Sequence, residues 1–127
     1  MVDESKKQHG VHILIVNGNQ EDLQVLNNFF VEKGFITSQA NTSKDALKYI
    51  RTKSYEYIII DIDLDNGNGL NLVKTLKLSP HTKQSNFIIT GQIVTNESVE
   101  QAIHLGVRGF LKSPFDPVKL SRIISSL

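Results

Sequence analysis

Three aspartates follow a short apolar run in the middle of the chain. The run from Tyr57 to Ile60 leads directly into Asp61, and Asp63 and Asp65 come next, in a segment rich in asparagine and glycine. Four β-prone apolar residues are typical of a buried parallel strand, so Asp61 is expected at the carboxyl edge of a sheet, where α/β folds bind ligands. A carboxylate at that edge can coordinate a cation or act as a nucleophile.

The other strand expected at this site ends without an acid. The apolar run from Val11 to Val16 leads into Asn17 and Gly18, which carry no charge. In a parallel sheet of the kind predicted below, these residues lie close to Asp61. The sequence therefore predicts a site with a carboxylate on one strand and only amide and backbone groups on its neighbour.

Two known motifs share features with the acidic segment. Its spacing begins like a calcium-binding EF-hand loop, but the sixth position is Asn66 instead of glycine and the twelfth is Leu72 instead of glutamate, which excludes that motif. An apolar strand followed by Asp61-x-Asp63 also resembles haloacid dehalogenase-like phosphotransferases, in which the first aspartate is the nucleophile and the second the acid–base group. Those enzymes are longer and need further lysine and acidic motifs, so this remains a secondary enzyme hypothesis.

Strand-like and helix-like patterns alternate five times along the chain and predict the elements that position these residues. Asn19, and Thr42 or Ser43, are expected to cap the first two helices. The predicted strands are 11–16, 35–40, 57–61, 87–90 and 107–111. The helices between and after them have apolar stripes formed by Leu23, Leu26, Phe29, Phe30, Ala46, Leu47, Ile50, Val73, Leu76, Val99, Ala102, Ile103, Leu120, Ile123, Ile124 and Leu127.

Alternating βα units of this length predict a doubly wound α/β fold, a parallel sheet covered by helices on both faces. In the five-stranded version with strand order 2-1-3-4-5, the binding crevice opens between strands 1 and 3. The site is then framed by Asn17, Gly18, Asp61 and the ends of strands 4 and 5.

Composition limits the classes of function. The 127 residues include 14 basic and 13 acidic side chains with a net charge of +1, and the basic residues are scattered, which argues against nucleic acid and membrane surfaces as partners. The absence of cysteine excludes disulfides, thiol catalysis and zinc–thiolate sites, and the four histidines lack ligand spacing.

The length and hydropathy pattern predict one soluble domain. No apolar stretch reaches the roughly 18 residues of a membrane span, and the polar residues 1–10 lack the apolar centre of a signal peptide. We therefore expect a flexible N-terminal tail over 1–10, a single domain over 11–127 and a cytoplasmic location.

Three segments resemble the receiver domain of two-component response regulators, and the resemblance covers residues 11–127. The first is the acidic segment 61–69, the second is Thr90-Gly91, and the third is 106–115, which has the spacing of the family's Gly-Ala-x-x-Tyr-Leu-x-Lys-Pro-Phe stretch. The resemblance implies a flavodoxin-like receiver fold. It also implies that Asp61 is the phospho-acceptor, that Thr90 contacts the phosphoryl group, and that Phe110 occupies the aromatic switch position.

Departures from the family pattern fall on its chemistry. The family ends strand 1 with an acidic pair that holds Mg²⁺, and this chain has Asn17 and Gly18 there. The family's phosphoryl-contacting lysine is replaced by Ser113, and Lys112, one residue earlier, is expected on the opposite face of its strand. Asp65 stands where the family usually has a proline.

These departures remove charges that phosphoryl transfer to a carboxylate uses to neutralise the transition state. Asp61 and Asp63 could still form a weak Mg²⁺ site, so we expect either no cofactor or weakly bound Mg²⁺. The leading hypothesis is an atypical receiver domain, a protein-interaction module that is not an enzyme. The alternative is a working phospho-acceptor that a histidine kinase phosphorylates on Asp61.

A partner surface is also implied by the resemblance. Receiver domains commonly dock partners, or a second copy of themselves, on the face made by the fourth predicted helix, strand 5 and the last predicted helix. Arg108 and Lys119 are expected to be exposed on that face and to favour an acidic protein partner. A homodimer through the same face remains open.

Overall fold

The predicted doubly wound α/β fold is confirmed by a computed structural model, which describes residues 10–92 and 94–125. The five strands are parallel and their order is β2-β1-β3-β4-β5, as predicted. In chain order the elements are β1 His12–Val16, α1 Gln20–Glu32, β2 Ile36–Ala40, α2 Ser43–Tyr49, β3 Tyr57–Asp61, α3 Leu64–Gly67, α4 Gly69–Lys77, β4 Asn86–Gly91, α5 Asn96–His104, β5 Gly109–Lys112 and α6 Pro117–Ser125.

The strand register brings the functional positions to one edge of the sheet. Val16 of β1 lies opposite Ile60 of β3, so the residues that follow them, Asn17 and Asp61, lie side by side. Asp61 is in turn opposite Thr90 at the end of β4. All three residues therefore lie at the carboxyl edge, as the sequence predicted.

Apolar side chains cover both faces of the sheet because successive strand residues alternate between them. One face packs against α2, α4 and α5, and the other packs against α1 and α6. The second face includes Ile15 and Ile59, and the α1 residues Leu23, Leu26 and Phe30 cover it. Asn17 and Asp61, two residues further along each strand, follow the same alternation and face the start of α1.

The predicted helix caps are confirmed at both sites. Asn19 Oδ1 accepts a hydrogen bond from the Asp22 N–H over 3.0 Å, and Thr42 Oγ1 accepts one from the Asp45 N–H over 3.1 Å. These contacts satisfy backbone donors in the first turn of each helix that have no intrahelical acceptor. The Asn19 cap also fixes where α1 begins, directly beside the predicted site.

Some details differ from the sequence-based expectation. A short turn, α3, precedes α4, which corresponds to the third predicted helix. Within this turn Asp65 and Asn66 adopt left-handed backbone angles (φ 50° and 62°), which aspartate and asparagine tolerate. Ile103 was expected to pack inward, but 62% of it is exposed, since Ala102 occupies the buried position of α5. The expectations for the tail residues 1–9 and for Leu127 lie outside the described residues.

Candidate functional site

A cavity of about 430 Å³ opens at the carboxyl edge of the sheet. The end of β1, the first turn of α1 and the loop after β3 contribute most of its wall. Four of the described lining residues are aspartates and none is lysine, arginine or histidine; the lining consists of Gly18, Asn19, Asp22, Asp61, Asp63, Asp65, Asn66 and Gln92. Ionised carboxyl groups therefore give this cavity a negative charge, which no cationic side chain among its described lining residues balances.

Asp61 is the half-buried carboxyl group of this cavity. The hydroxyl of Thr90, which is fully buried, donates to Asp61 Oδ1 over 3.0 Å. Burial raises the pKa of Asp61 above its ordinary value, and the nearby carboxylates of Asp63 and Asp22 raise this pKa further. The Thr90 hydroxyl and a backbone hydrogen bond at Asp63 oppose that shift without cancelling it. Asp61 thus binds its proton more tightly than a solvated aspartate does.

The residues at the end of β1 do not fit the Mg²⁺ ion that the resemblance implies. Asn17 is 1% exposed, and its Oδ1 already accepts the Asn19 N–H over 2.8 Å. Its Nδ2, a hydrogen-bond donor, is buried without a partner, and Gly18 has no side chain. A donor cannot coordinate a cation. Within residues 10–92 and 94–125, no three acidic, histidine or cysteine side chains are grouped so that they could hold a metal ion.

Ser113 lies at the end of β5 and pairs with a residue that the sequence analysis did not assign to the site. Its hydroxyl donates to both carboxylate oxygens of Asp22, over 3.3 Å to Oδ1 and 3.4 Å to Oδ2. The residue at the family's lysine position therefore hydrogen-bonds to Asp22, whereas Asp61 accepts its side-chain hydrogen bond from Thr90. Asp22 lies three residues after the cap residue Asn19, in the first turn of α1. Its position one turn into a helix that starts at the site is the signal that would have placed it in the cavity.

The loop after β3 is held in place by its own contacts. Asp65 Oδ2 accepts the Ser43 N–H at the start of α2 over 3.1 Å, and the Asp65 carbonyl accepts the Asn68 side-chain N–H over 2.8 Å. Gly69 packs so closely on Asp61 that any Cβ there would overlap the Asp61 carbonyl oxygen. This close approach explains why a glycine begins α4.

The remaining predicted site residues are not among the described residues that line this cavity. Phe110 is partly buried and packs on the core face that contacts α2, α4 and α5, while Lys112 is exposed. Arg108 is exposed and its Nη1 donates to Asn86 Oδ1 over 3.3 Å, and Lys119 is exposed on α6. Their roles in switching and partner binding stay predictions.

The chain is similar to proteins of known family. The model of the response regulator receiver domain matches residues 13–125. Two relatives are Protein PetR of Rhodobacter capsulatus, 23% identical over 91% of this chain and 48% of its own length, and a probable chemotaxis protein CheY of Rhizobium etli, 24% identical over 92% of each. The chain thus spans about half of the first relative. A two-component response regulator from Clostridium difficile has the same fold, with a TM-score of 0.83, 24% identity and coverage of 91% and 93%.

Among the residues that the structure describes, none of the helices has both the length and the apolar character that a membrane span requires.

Proposed function

Because this chain belongs to the response regulator receiver domain family, we propose that it acts in two-component signalling as an atypical receiver that binds proteins without standard Mg²⁺-dependent phosphorylation. One observation supports this most strongly. The cavity around Asp61 has four carboxylates and, among its described lining residues, no cationic side chain. The two positions from which receivers supply acids for Mg²⁺ have an amide and a glycine, and the lysine position has a hydroxyl that donates to Asp22.

The electrostatic cost of phosphorylating Asp61 in this cavity is large. Two like unit charges about 4 Å apart near a protein surface repel by about 4 kcal/mol, which corresponds to about a thousandfold in rate. A phosphoryl donor that approaches Asp61 also meets the carboxylates of Asp22 and Asp63, which line the same cavity and whose repulsion already raises the pKa of Asp61. One hydrogen bond from Thr90 contributes about 1.5–3 kcal/mol and does not offset this repulsion.

The proposed partner surface is the face formed by α5, β5 and α6. Arg108 and Lys119 supply positive charge there. Two apolar residues are also exposed, Ile103 on α5 to 62% and Val118 on α6 to 61%. An acidic protein surface with apolar residues at its centre would complement this combination. A second copy of the chain and a histidine kinase remain candidate partners for it.

The alternative, a working phospho-acceptor, is favoured by one contact. Asp61 ends β3 beside Thr90 and is hydrogen-bonded to it, which is the pairing that the receiver resemblance implies for phosphorylation. The family match also favours either receiver interpretation over a haloacid dehalogenase-like phosphotransferase.

The test compares freshly purified chain with two variants. Wild type, Asp61→Asn and a triple variant, Asn17→Asp, Gly18→Asp and Ser113→Lys, are each treated with acetyl phosphate, with and without Mg²⁺, and weighed by intact mass spectrometry. A Cβ at Gly18 would lie 3.6 Å from the Asn41 carbonyl oxygen, an ordinary contact, so that substitution is tolerated sterically. Amide NMR spectra establish that each variant is folded.

We expect no phosphate adduct on wild type and an Mg²⁺-dependent adduct on the triple variant. This result would show that the missing acids and lysine are what prevent phosphorylation. An Mg²⁺-dependent adduct on wild type that disappears in Asp61→Asn would overturn the proposal and establish the phospho-acceptor alternative.

A further inference from the structure

The sequence contains three Asn-Gly steps, at positions 17–18, 66–67 and 68–69. An asparagine followed by glycine is prone to deamidation, because glycine has no side chain to hinder attack by its backbone nitrogen on the preceding side-chain carbonyl. The rate at each step depends on whether that nitrogen is free and whether the carbonyl is polarised. The structure separates Asn17 from the other two steps on the first criterion, whereas on the second Asn68 Oδ1 also accepts a hydrogen bond, from Asn71 Nδ2 over 3.0 Å.

The two steps in the loop after β3 are held by hydrogen bonds. The Gly67 N–H donates to the Asp63 carbonyl over 3.2 Å, and the Gly69 N–H donates to the Ile62 carbonyl over 3.3 Å. Gly69 is also buried against Asp61, so its backbone cannot shift freely. Each of these nitrogens must therefore lose a backbone contact before it can act as a nucleophile.

The step at Asn17 has the opposite arrangement. Among the described residues, nothing accepts a hydrogen bond from the Gly18 N–H. The Asn19 N–H donates to Asn17 Oδ1 over 2.8 Å, and the same donor would stabilise the negative charge that develops on this oxygen during attack. The leaving group, Asn17 Nδ2, is buried without a hydrogen-bond partner, and this raises the free energy of the intact amide before the reaction. We propose that Asn17 is a site of spontaneous deamidation, which replaces its amide by a carboxyl group beside Asp61.

The reaction needs only the chain and water. The Gly18 nitrogen bonds to Asn17 Cγ, the Cγ–Nδ2 bond breaks, and Nδ2 leaves as ammonia with the proton that the Gly18 nitrogen loses. Water then opens the resulting five-membered imide and leaves an aspartate or an isoaspartate at position 17. Gly18 and Asn19 are exposed and line the cavity of about 430 Å³, so water reaches the imide from the Gly18 side.

The product restores an acid where the end of β1 lacks one. Position 17 lies next to Asp61 in the register of β1 with β3, so the product adds a carboxyl group to those of Asp22, Asp61, Asp63 and Asp65. Deamidation would thus move this cavity towards the acidic composition of other receivers. This consequence rests on the proposed function, whereas the covalent step does not.

The experiment follows the mass of the folded chain over time. Full-length chain is incubated at mildly alkaline pH, and fragment mass spectrometry locates the gain of about one dalton at positions 17, 66 or 68. Because the other two nitrogens must each give up a backbone hydrogen bond, we expect conversion at Asn17 to be about fivefold faster than at Asn66 or Asn68. In urea, where all three steps are unfolded, the rates should converge.

Gly18→Ala is the matched control, since its Cβ meets only an ordinary contact but hinders attack at Asn17. This variant should slow conversion at Asn17 and leave Asn66 and Asn68 unchanged. Conversion at Asn17 that is no faster than at the other two, or that is unaffected by Gly18→Ala, would overturn the inference. A phosphate adduct on freshly purified chain would instead overturn the proposed function and would leave the inference about deamidation at Asn17 unaffected.

Discussion

Replacing Thr90 by valine removes one hydroxyl from the centre of the site. Thr90 is fully buried, lies opposite Asp61 in the sheet, and donates to Asp61 Oδ1 over 3.0 Å. Valine has a similar shape but no donor. We expect Thr90→Val to lower the free energy of unfolding at neutral pH, because the ionised Asp61 loses this hydrogen bond.

The expected loss is about 1–2 kcal/mol. A hydrogen bond to a charged group contributes about 1.5–3 kcal/mol, and exchanging a buried hydroxyl for a methyl group returns about 0.8 kcal/mol. Water reaches the partly exposed Asp61 and replaces part of the lost contact, so the result should lie near the lower end of that interval.

The loss should also depend on pH. Burial raises the pKa of Asp61, and the Thr90 hydroxyl opposes that shift because it stabilises the ionised form. Without the hydroxyl, the folded chain binds the Asp61 proton still more tightly. The cost of Thr90→Val is therefore fully present above the pKa of Asp61 and disappears as pH falls through it.

Urea unfolding at several pH values between about 4 and 8 measures both effects, provided that the urea dependence of the unfolding free energy stays unchanged. Thr82→Val is the control, because Thr82 is equally buried but its hydroxyl donates to the uncharged Leu76 carbonyl. Its cost should be independent of pH. A Thr90→Val cost that does not change with pH, or that is absent at neutral pH, would refute the reasoning.

Three further substitutions test other parts of the structure. Asp61→Asn should raise the free energy of unfolding at neutral pH, because burial penalises the carboxylate. That gain should vanish as pH falls below the ordinary aspartate pKa of about 3.9, so equal stability at neutral pH in urea titrations would contradict it. Gly69→Ala should cost about 3 kcal/mol or more, because the new Cβ would overlap the Asp61 backbone; a loss under about 1 kcal/mol in the same titration would argue against the close approach. Phe30→Ala should cost about 3–5 kcal/mol and lower Tm by calorimetry, since Phe30 is fully buried with an edge-on ring contact to Phe35 at 5.3 Å; an unchanged Tm would mean that this core face is not packed as described.

The sequence was sufficient to predict the sheet and the backbone of the site. Apolar runs of four and three residues ended at Asp61 and Thr90, and a parallel sheet necessarily brings such ends to one edge. The caps at Asn19 and Thr42 were equally predictable, because their side chains act within three residues of the chain. Local chemistry and strand alternation therefore account for most of the fold.

The contacts of Asp22 could not be predicted in the same way. Its hydrogen bond to Ser113 depends on the rotation of α1 about its axis and on the exact end of β5, neither of which follows from periodicity. The exposure of Ile103 has a similar cause, because a helix of nine residues can rotate slightly and leave a neighbouring apolar residue in solvent. Side-chain pairs between distant segments are set by packing, which sequence patterns do not describe.

The hydrogen bond between Ser113 and Asp22 joins residues that are 91 positions apart. During synthesis the ribosome releases Asp22 and Asp61 well before Ser113, and segments nearer the N-terminus are the first that can fold. The final balance of charge and hydrogen bonding at this edge of the sheet is reached only when β5 has been added, so this edge is among the last parts of the sheet to be completed.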